Sequence, residues 1–260
     1  MQSIKVLFIG DIVGKPGRRA ASLMIPEIKK EEGIDLVIAN GENLASGKGM
    51  TYAKYLEMID AGVDFFTSGN HIWNNKDIID HIGDPNIKIL RPENFPNTMP
   101  GTGVKEIAPG VVLVNLQGRV FMKDELTDPF KIAKDIAEKY RGKIIIIDFH
   151  AEATSEKVAL GYYLDGTISA LIGTHTHIQT ADEKILEGGT AYITDAGMTG
   201  PADSVLGVKK EIIIEKFLTQ LPKSHKVASG EMIFNAVVIE IDKKTNRAIH
   251  IKRISKIIKP

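Results

Sequence analysis

Apolar runs of strand length recur along this chain, at Ile4–Ile9, Leu36–Ala39, Phe65–Thr67, Val111–Leu116, Ile144–Ile147, Ile168–Ile172 and Ala191–Ile193, and segments of helical periodicity lie between several of them. Short apolar runs bounded by turn residues suit buried strands, and their alternation with helices suits βα units. The periodic segments predict helices over Arg18–Glu32, Thr51–Ala61, Lys76–His81, Pro129–Tyr140, Glu156–Leu164 and Val208–Leu218, with Gly33, Gly62 and Gly83 where C-terminal caps would fall. Near the end, Glu231–Ile241 and Arg247–Ile258 read as strands joined by Asp242-Lys-Lys-Thr-Asn246, a hairpin signal that makes the sheet arrangement mixed. The proline-rich stretch Arg91–Pro109 reads as a long loop, and residues 1–260 as one domain.

In open α/β sheets, ligands gather beyond the carboxyl ends of the strands, so the residues that follow each apolar run carry the information. Ile4–Ile9 is followed by Gly10-Asp11, Leu36–Ala39 by Asn40-Gly41-Glu42-Asn43, and Phe65–Thr67 by Ser68-Gly69-Asn70-His71. Ile144–Ile147 is followed by Asp148-Phe149-His150, and Ile168–Ile172 by Gly173-Thr174-His175-Thr176-His177. In an extended chain the side chains at i and i+2 share a side, so His175 and His177 are expected to present two imidazoles to one point. Taken singly, each cluster has an ordinary structural reading: Asp11 as a helix cap, Asn40-Gly41 and Gly69-Asn70 as turns, His150 as a satisfied core histidine. Taken together, oxygen and nitrogen ligands at so many strand ends of one sheet edge fit a binuclear site. Such a site holds two cations ~3.5–4 Å apart, with a bridging hydroxide as nucleophile.

Composition narrows the alternatives. There is no cysteine, which excludes disulfides and thiolate chemistry and leaves imidazole and oxygen as ligands. Lys plus Arg and Asp plus Glu each number 33, so extended nucleic-acid binding is not expected from net charge. No apolar run approaches membrane-spanning length, and the opening Met-Gln-Ser-Ile-Lys lacks a signal-peptide pattern, so a cytoplasmic protein is expected. Gly10-Asp-Ile-Val-Gly14-Lys15-Pro16 fails as a phosphate-binding Walker loop, because its glycines are one residue too close and proline replaces the required hydroxyl residue. Serine-hydrolase, zincin and dinucleotide motifs are also missing.

The order Asp11, Gly41-Glu42-Asn43, Gly69-Asn70-His71, His150, Gly173-Thr-His175-Thr-His177 resembles the calcineurin-like metallophosphoesterases. It departs from that pattern where Val13 stands for a histidine and Glu42 for the bridging aspartate. Those departures, with Asn40–Ala45, Ser68–Trp73, Arg91–Pro96 and Thr194–Pro201, resemble the YmdB-like bacterial phosphoesterases over almost the whole chain. The resemblance implies a four-layer α/β/β/α sandwich with mixed sheets, self-association, and two divalent ions per chain, iron or manganese first and zinc acceptable. It also implies hydrolysis of small phosphodiesters such as 2′,3′- or 3′,5′-cyclic nucleotides. Asp11 and His177 are then expected on the first metal, Glu42 bridging both, and Asn70, His150 and His175 on the second. Asn43 is expected to replace the histidine missing at Val13, and His71 to act as general acid. A phosphomonoesterase, an RNA-end nuclease and a metal-stabilised regulatory module remain as alternatives. Arg91, Asn94 and Asp195–Pro201 are candidates to border the substrate, and Trp73 is expected to pack.

Overall fold

The computed structural model describes residues 2–259. In chain order the elements are β1 (Ser3–Ile9), β2 (Asp11–Ile12), α1 (Gly14–Glu32), β3 (Leu36–Asn40), α2 (Tyr52–Asp60), β4 (Phe65–Thr67) and α3 (Lys76–Ile79). There follow β5 (Val104–Ala108), β6 (Val111–Gln117), α4 (Pro129–Lys139), β7 (Ile144–His150), α5 (Thr154–Tyr163), β8 (Ala170–Thr174), β9 (Lys184–Ile185) and β10 (Ala191–Ile193). The last are β11 (Met198–Pro201), α6 (Lys210–Thr219), β12 (Met232–Asp242) and β13 (Ala248–Ile258). One sheet runs β2-β11-β12-β1-β3-β4, with β13 on the far side of β12, and the other runs β5-β6-β7-β8-β10-β9. Both are mixed: β1, β3 and β4 are parallel, as are β6, β7, β8 and β10, while β12, β13, β5 and β9 pair antiparallel with their neighbours.

Three apolar layers explain the expected sandwich. Strands buried on both faces send alternate side chains to opposite sides. In β1, Leu7 and Ile9 face α1 and α2, where they meet Ile25, Ile28 and Met58, while Val6 and Phe8 face the second sheet and meet Leu113, Ile146 and Ile172. In β7, Ile145, Ile147 and Phe149 turn outward onto α4 and α5, against Ala133, Ile136 and Leu160. The order helix, sheet, sheet, helix follows directly. No helix among the described residues is long and apolar enough to cross a membrane.

The βα reading holds for the main elements, with corrections at their ends. Helix α1 begins earlier than predicted, at Gly14, and ends as expected on Gly33 in the left-handed conformation, whose N–H donates to the Lys29 carbonyl. The stretch Arg91–Pro109 contains β5, an edge strand antiparallel to β6. Its Val-Lys-Glu-Ile-Ala sequence lies half exposed with a register shift beyond Glu106, so neither continuous burial nor strict alternation betrays it. Helix α6 buries none of its residues, and Phe217 is 79% exposed.

Because Phe8 is fully buried between the sheets, Phe8→Ala should destabilise the chain by about 3–5 kcal/mol in urea unfolding, whereas Phe217→Ala should leave stability within about 0.5 kcal/mol. Equal effects would contradict the layering.

Candidate metal centre

Every strand-end cluster of the sequence reaches one edge of the sandwich. Asp11 opens β2 directly after β1, Glu42 and Asn43 follow β3, Asn70 and His71 follow β4, His150 is the last residue of β7, and His175 and His177 follow β8. The two sheets are tied together at this edge by polar side chains. Asn40 of β3 donates to Asp148 Oδ2 of β7 at 2.9 Å, and Asn115 of β6 exchanges hydrogen bonds with the Ser68 backbone at 3.0 and 3.1 Å. These residues are buried, so each bond satisfies a group that would otherwise be costly to desolvate.

Two groups of ligand atoms form, and they share a member. Asp11, Glu42 and His177 make one and Glu42, His150 and His175 the other, the atoms of each lying within 4.8 Å of one another. The imidazoles are also fixed from behind. His150 Nδ1 donates to Thr174 Oγ1 at 2.9 Å, whose hydroxyl donates to Asp148 Oδ1 at 2.7 Å. His177 Nδ1 donates to the Leu206 carbonyl at 3.1 Å, and His175 Nε2 lies 3.1 Å from Glu152 Oε2. His150 and His177 thus have their outer nitrogens on oxygen acceptors and His175 has a carboxylate beside its own, which favours a lone pair on each inner nitrogen for a cation.

The donor set fits divalent ions on two further observations. Asp11 is fully buried, yet its Oδ1 has no hydrogen-bond partner and stands 3.9 Å from His177 Nε2 and 4.0 Å from His150 Nδ1. Around His150 Nε2 converge Glu42 Oε2 at 3.1 Å, Asn70 Oδ1 at 3.1 Å and His175 Nδ1 at 3.0 Å. Protein charges respond accordingly. Burial pushes the Asp11 carboxyl well above its ordinary range. Burial also works to raise Glu42, but the charge and hydrogen bond of His150 outweigh it and hold that carboxyl well below. Burial opposes protonation of His150, and Glu42, Asp11 and Asp148 overcome it, taking the ring up to about 9. Burial and the neighbouring His150 charge take His175 down to about 3. With protein groups alone, one imidazolium meets the need for positive charge that two cations would meet directly.

Local backbone geometry departs from the sequence expectation in one respect. Strand β8 ends at Thr174, and His175 and His177 have φ of 101° and 66°, so the pair is not presented by an extended chain. Left-handed backbone is costly for such residues and persists only where surroundings enforce it. Here Thr176 between them donates its N–H and hydroxyl to Asp195 Oδ2 at 3.0 and 2.8 Å, and the His175 N–H donates to Asp11 Oδ2 at 3.2 Å. Asp195 is in turn held by buried Lys157 Nζ at 2.8 Å and by the Gly197 N–H. Gly69 serves closeness of another kind, since a Cβ there would lie 2.2–2.5 Å from His150 and Glu42.

Asn43 turns its amide nitrogen toward Glu42 Oε1 at 2.9 Å and His177 Nε2 at 3.2 Å, and its oxygen toward His71 Nδ1 at 2.8 Å. In this orientation the amide oxygen belongs to His71 rather than to the ligand group. His71 is about a quarter exposed, and its ring lies 3.2 Å from Glu42 Oε1. The bordering residues Arg91 and Asn94 are structural instead: Asn94 is fully buried on Gln117 and Thr127, and Arg91 is buried with its guanidinium on the Pro92 carbonyl. Trp73 packs edge-on against Phe95. Sequence reasoning does not single out Asp148, Asp195 or Lys157 as individual site residues. Asp148 carries a signal, a carboxylate inside an apolar strand, whereas Lys157 on α5 carries none.

Comparison with known proteins gives the family of the chain. The family model described as "YmdB-like protein" matches residues 7–254. The chain is 50% identical over 257 residues to the 2′,3′-cyclic-nucleotide 2′-phosphodiesterase of Bacillus subtilis (strain 168), covering 96% of each. Among solved structures, a hypothetical protein from Thermus thermophilus superposes with a TM-score of 0.92 at 39% identity, over 99% of this chain and 100% of that one. A novel phosphatase from Mycoplasma pneumoniae gives 0.93 at 35% identity, over 100% and 95% respectively. The chain belongs to the YmdB-like protein family.

Proposed function

We propose that this chain hydrolyses phosphoric diesters, 2′,3′-cyclic nucleotides foremost, at the centre built around Glu42. The observation that carries this reading is the pair of ligand groups sharing one buried carboxylate, with two of the imidazoles oriented by an outer acceptor and the third beside a carboxylate. The activity named for the Bacillus subtilis relative at 50% identity supports the choice of substrate.

One cation would be held by Asp11, Glu42 and His177, and a second by Glu42, His150, His175 and Asn70. Bound there, divalent ions supply positive charge for the phosphate and acidify water. The chain's own groups do the rest. The Nδ1 of His71 donates to Asn43 and faces Glu42, so the ring is fixed with Nε2 as the nitrogen free to serve the substrate. From there it would protonate the leaving oxygen as the P–O bond breaks, a contribution of roughly 10²–10⁴ in rate. The backbone N–H of His71 donates to Glu42 Oε2 at 3.2 Å, which ties the backbone of the acid to the shared carboxylate. Exclusion of water from behind the site follows from the complete burial of Asp148, His150 and Thr174.

Two substitutions separate these roles. His71→Ala should lower kcat by about 10²–10⁴ while elemental analysis finds wild-type metal content, and parallel loss of metal would show that His71 is a ligand. Glu42→Ala should deplete both ions together, and a variant that retains two per chain would contradict the bridging role. The assay itself should compare bis-p-nitrophenyl phosphate with the monoester, and 2′,3′- with 3′,5′-cyclic nucleotides, with and without chelator. Selective, chelator-sensitive turnover of diesters is expected, and turnover of the monoester alone would favour a phosphomonoesterase.

A further inference from the structure

Beside the metal centre lies a cleft of about 490 Å³, part of whose wall comes from residues just past the site residues in sequence. Val13 stands two residues past Asp11, Ala45 two past Asn43, and Leu206 supplies the carbonyl that holds His177. The N–H of Gly14 donates to the Asn43 carbonyl at 2.9 Å, which joins the cleft floor to the centre. Its charge is one-sided: Lys15, Arg18, Lys48 and Lys54 line it and no carboxylate does, in a chain whose acidic and basic residues balance. Arg18 and Lys54 are both engaged by Glu57, at 2.8 and 2.7 Å. Exposed Lys15 and Lys48 have no such partner among the described residues. A neighbouring cavity of about 630 Å³ shares Lys15, Ser46 and His225, and adds Arg19 and Lys226, again without a carboxylate. The positive strip therefore continues from the first cleft into the second.

A cyclic mononucleotide carries a single phosphate, and the metal centre takes it. Unpaired lysines strung beyond that point match phosphates further along the same ligand, since contacts to backbone phosphates are electrostatic and indifferent to base sequence. We propose that this cleft holds the sugar–phosphate backbone of a short oligoribonucleotide whose 3′-terminal 2′,3′-cyclic phosphodiester is the bond hydrolysed at the adjoining centre. The inference rests on the diesterase reading. The covalent step is unchanged: the oxygen of water bonds to phosphorus, one ribose P–O bond breaks, and the departing oxygen takes the proton. Specificity for chain length then comes from Lys15 and Lys48, and the zero net charge of the whole chain conceals it.

The test measures binding and turnover separately on metal-loaded protein. A fluorescently labelled pentaribonucleotide with a 3′-phosphate, followed by anisotropy, should bind about tenfold tighter than a labelled mononucleotide with the same end, and less tightly as salt is added. In Lys15→Glu/Lys48→Glu that advantage should disappear, and the milder Lys15→Ala/Lys48→Ala should flatten the salt slope by roughly 0.7 per lysine. Substrates ending in a 2′,3′-cyclic phosphate should show the same loss in kcat/KM, larger for the oligomer than for the mononucleotide. Equal affinity for both lengths, or an unchanged ratio in the charge-reversed variant, would overturn the cleft proposal while leaving diesterase activity intact. Charge-dependent binding without hydrolysis of either cyclic end would instead uphold the cleft and remove the activity.

Discussion

The edge of this sandwich is governed by negative charge confined where water cannot reach it. Asp11, Glu42 and Asp148 are almost wholly buried within one neighbourhood, each from a different strand or the turn after one. Burying a carboxylate without a counter-charge is prohibitive, and removing one partner from a buried pair costs about 3–5 kcal/mol. The arrangement persists because positive charge is drawn to the same point. In protein alone, burial drives the Asp11 carboxyl toward its neutral form and the His150 imidazolium answers Glu42; in the proposed enzyme a pair of cations would take that place, with the His150 imidazole as one of their ligands.

Much of the surrounding structure can be understood as enforcing that convergence. The parallel strands deliver their C-terminal ends to one edge, and the amide and hydroxyl bonds among Asn40, Asp148, Thr174, Ser68 and Asn115 fix how the two sheets meet there. Lys157 and Asp195 pair out of water to hold Thr176, and through it two histidines in backbone conformations they would not choose. A buried ion pair contributes little net stability by itself. Its value here is positional, because it converts a turn into a fixed presentation of two imidazoles.

The sequence made the chemistry legible where residue type and strand end coincide. Asp11, Glu42, Asn70, His150, His175 and His177 follow apolar runs, and a chain that alternates βα must bring those ends to one side. The helical layers were legible for the same reason, through periodicity. What the sequence concealed has physical causes. The turn at His175–His177 depends on a carboxylate and a lysine remote in the chain, so no local rule anticipates it. Edge strand β5 is half exposed and lacks a clean pattern. The orientation of the Asn43 amide follows from His71, Glu42 and His177 together, and the basic cleft arises from the first turns of α1 and α2 and the loop before α2, whose charges cancel in any chain-wide sum.

The central claim is that one buried glutamate organises two cation sites. Anomalous diffraction from crystals of the manganese-loaded protein tests it most directly. Two peaks are expected, one on each side of the Glu42 carboxylate, the first also near Asp11 and His177 and the second near His150 and His175. A single peak, or peaks remote from Glu42, would contradict it.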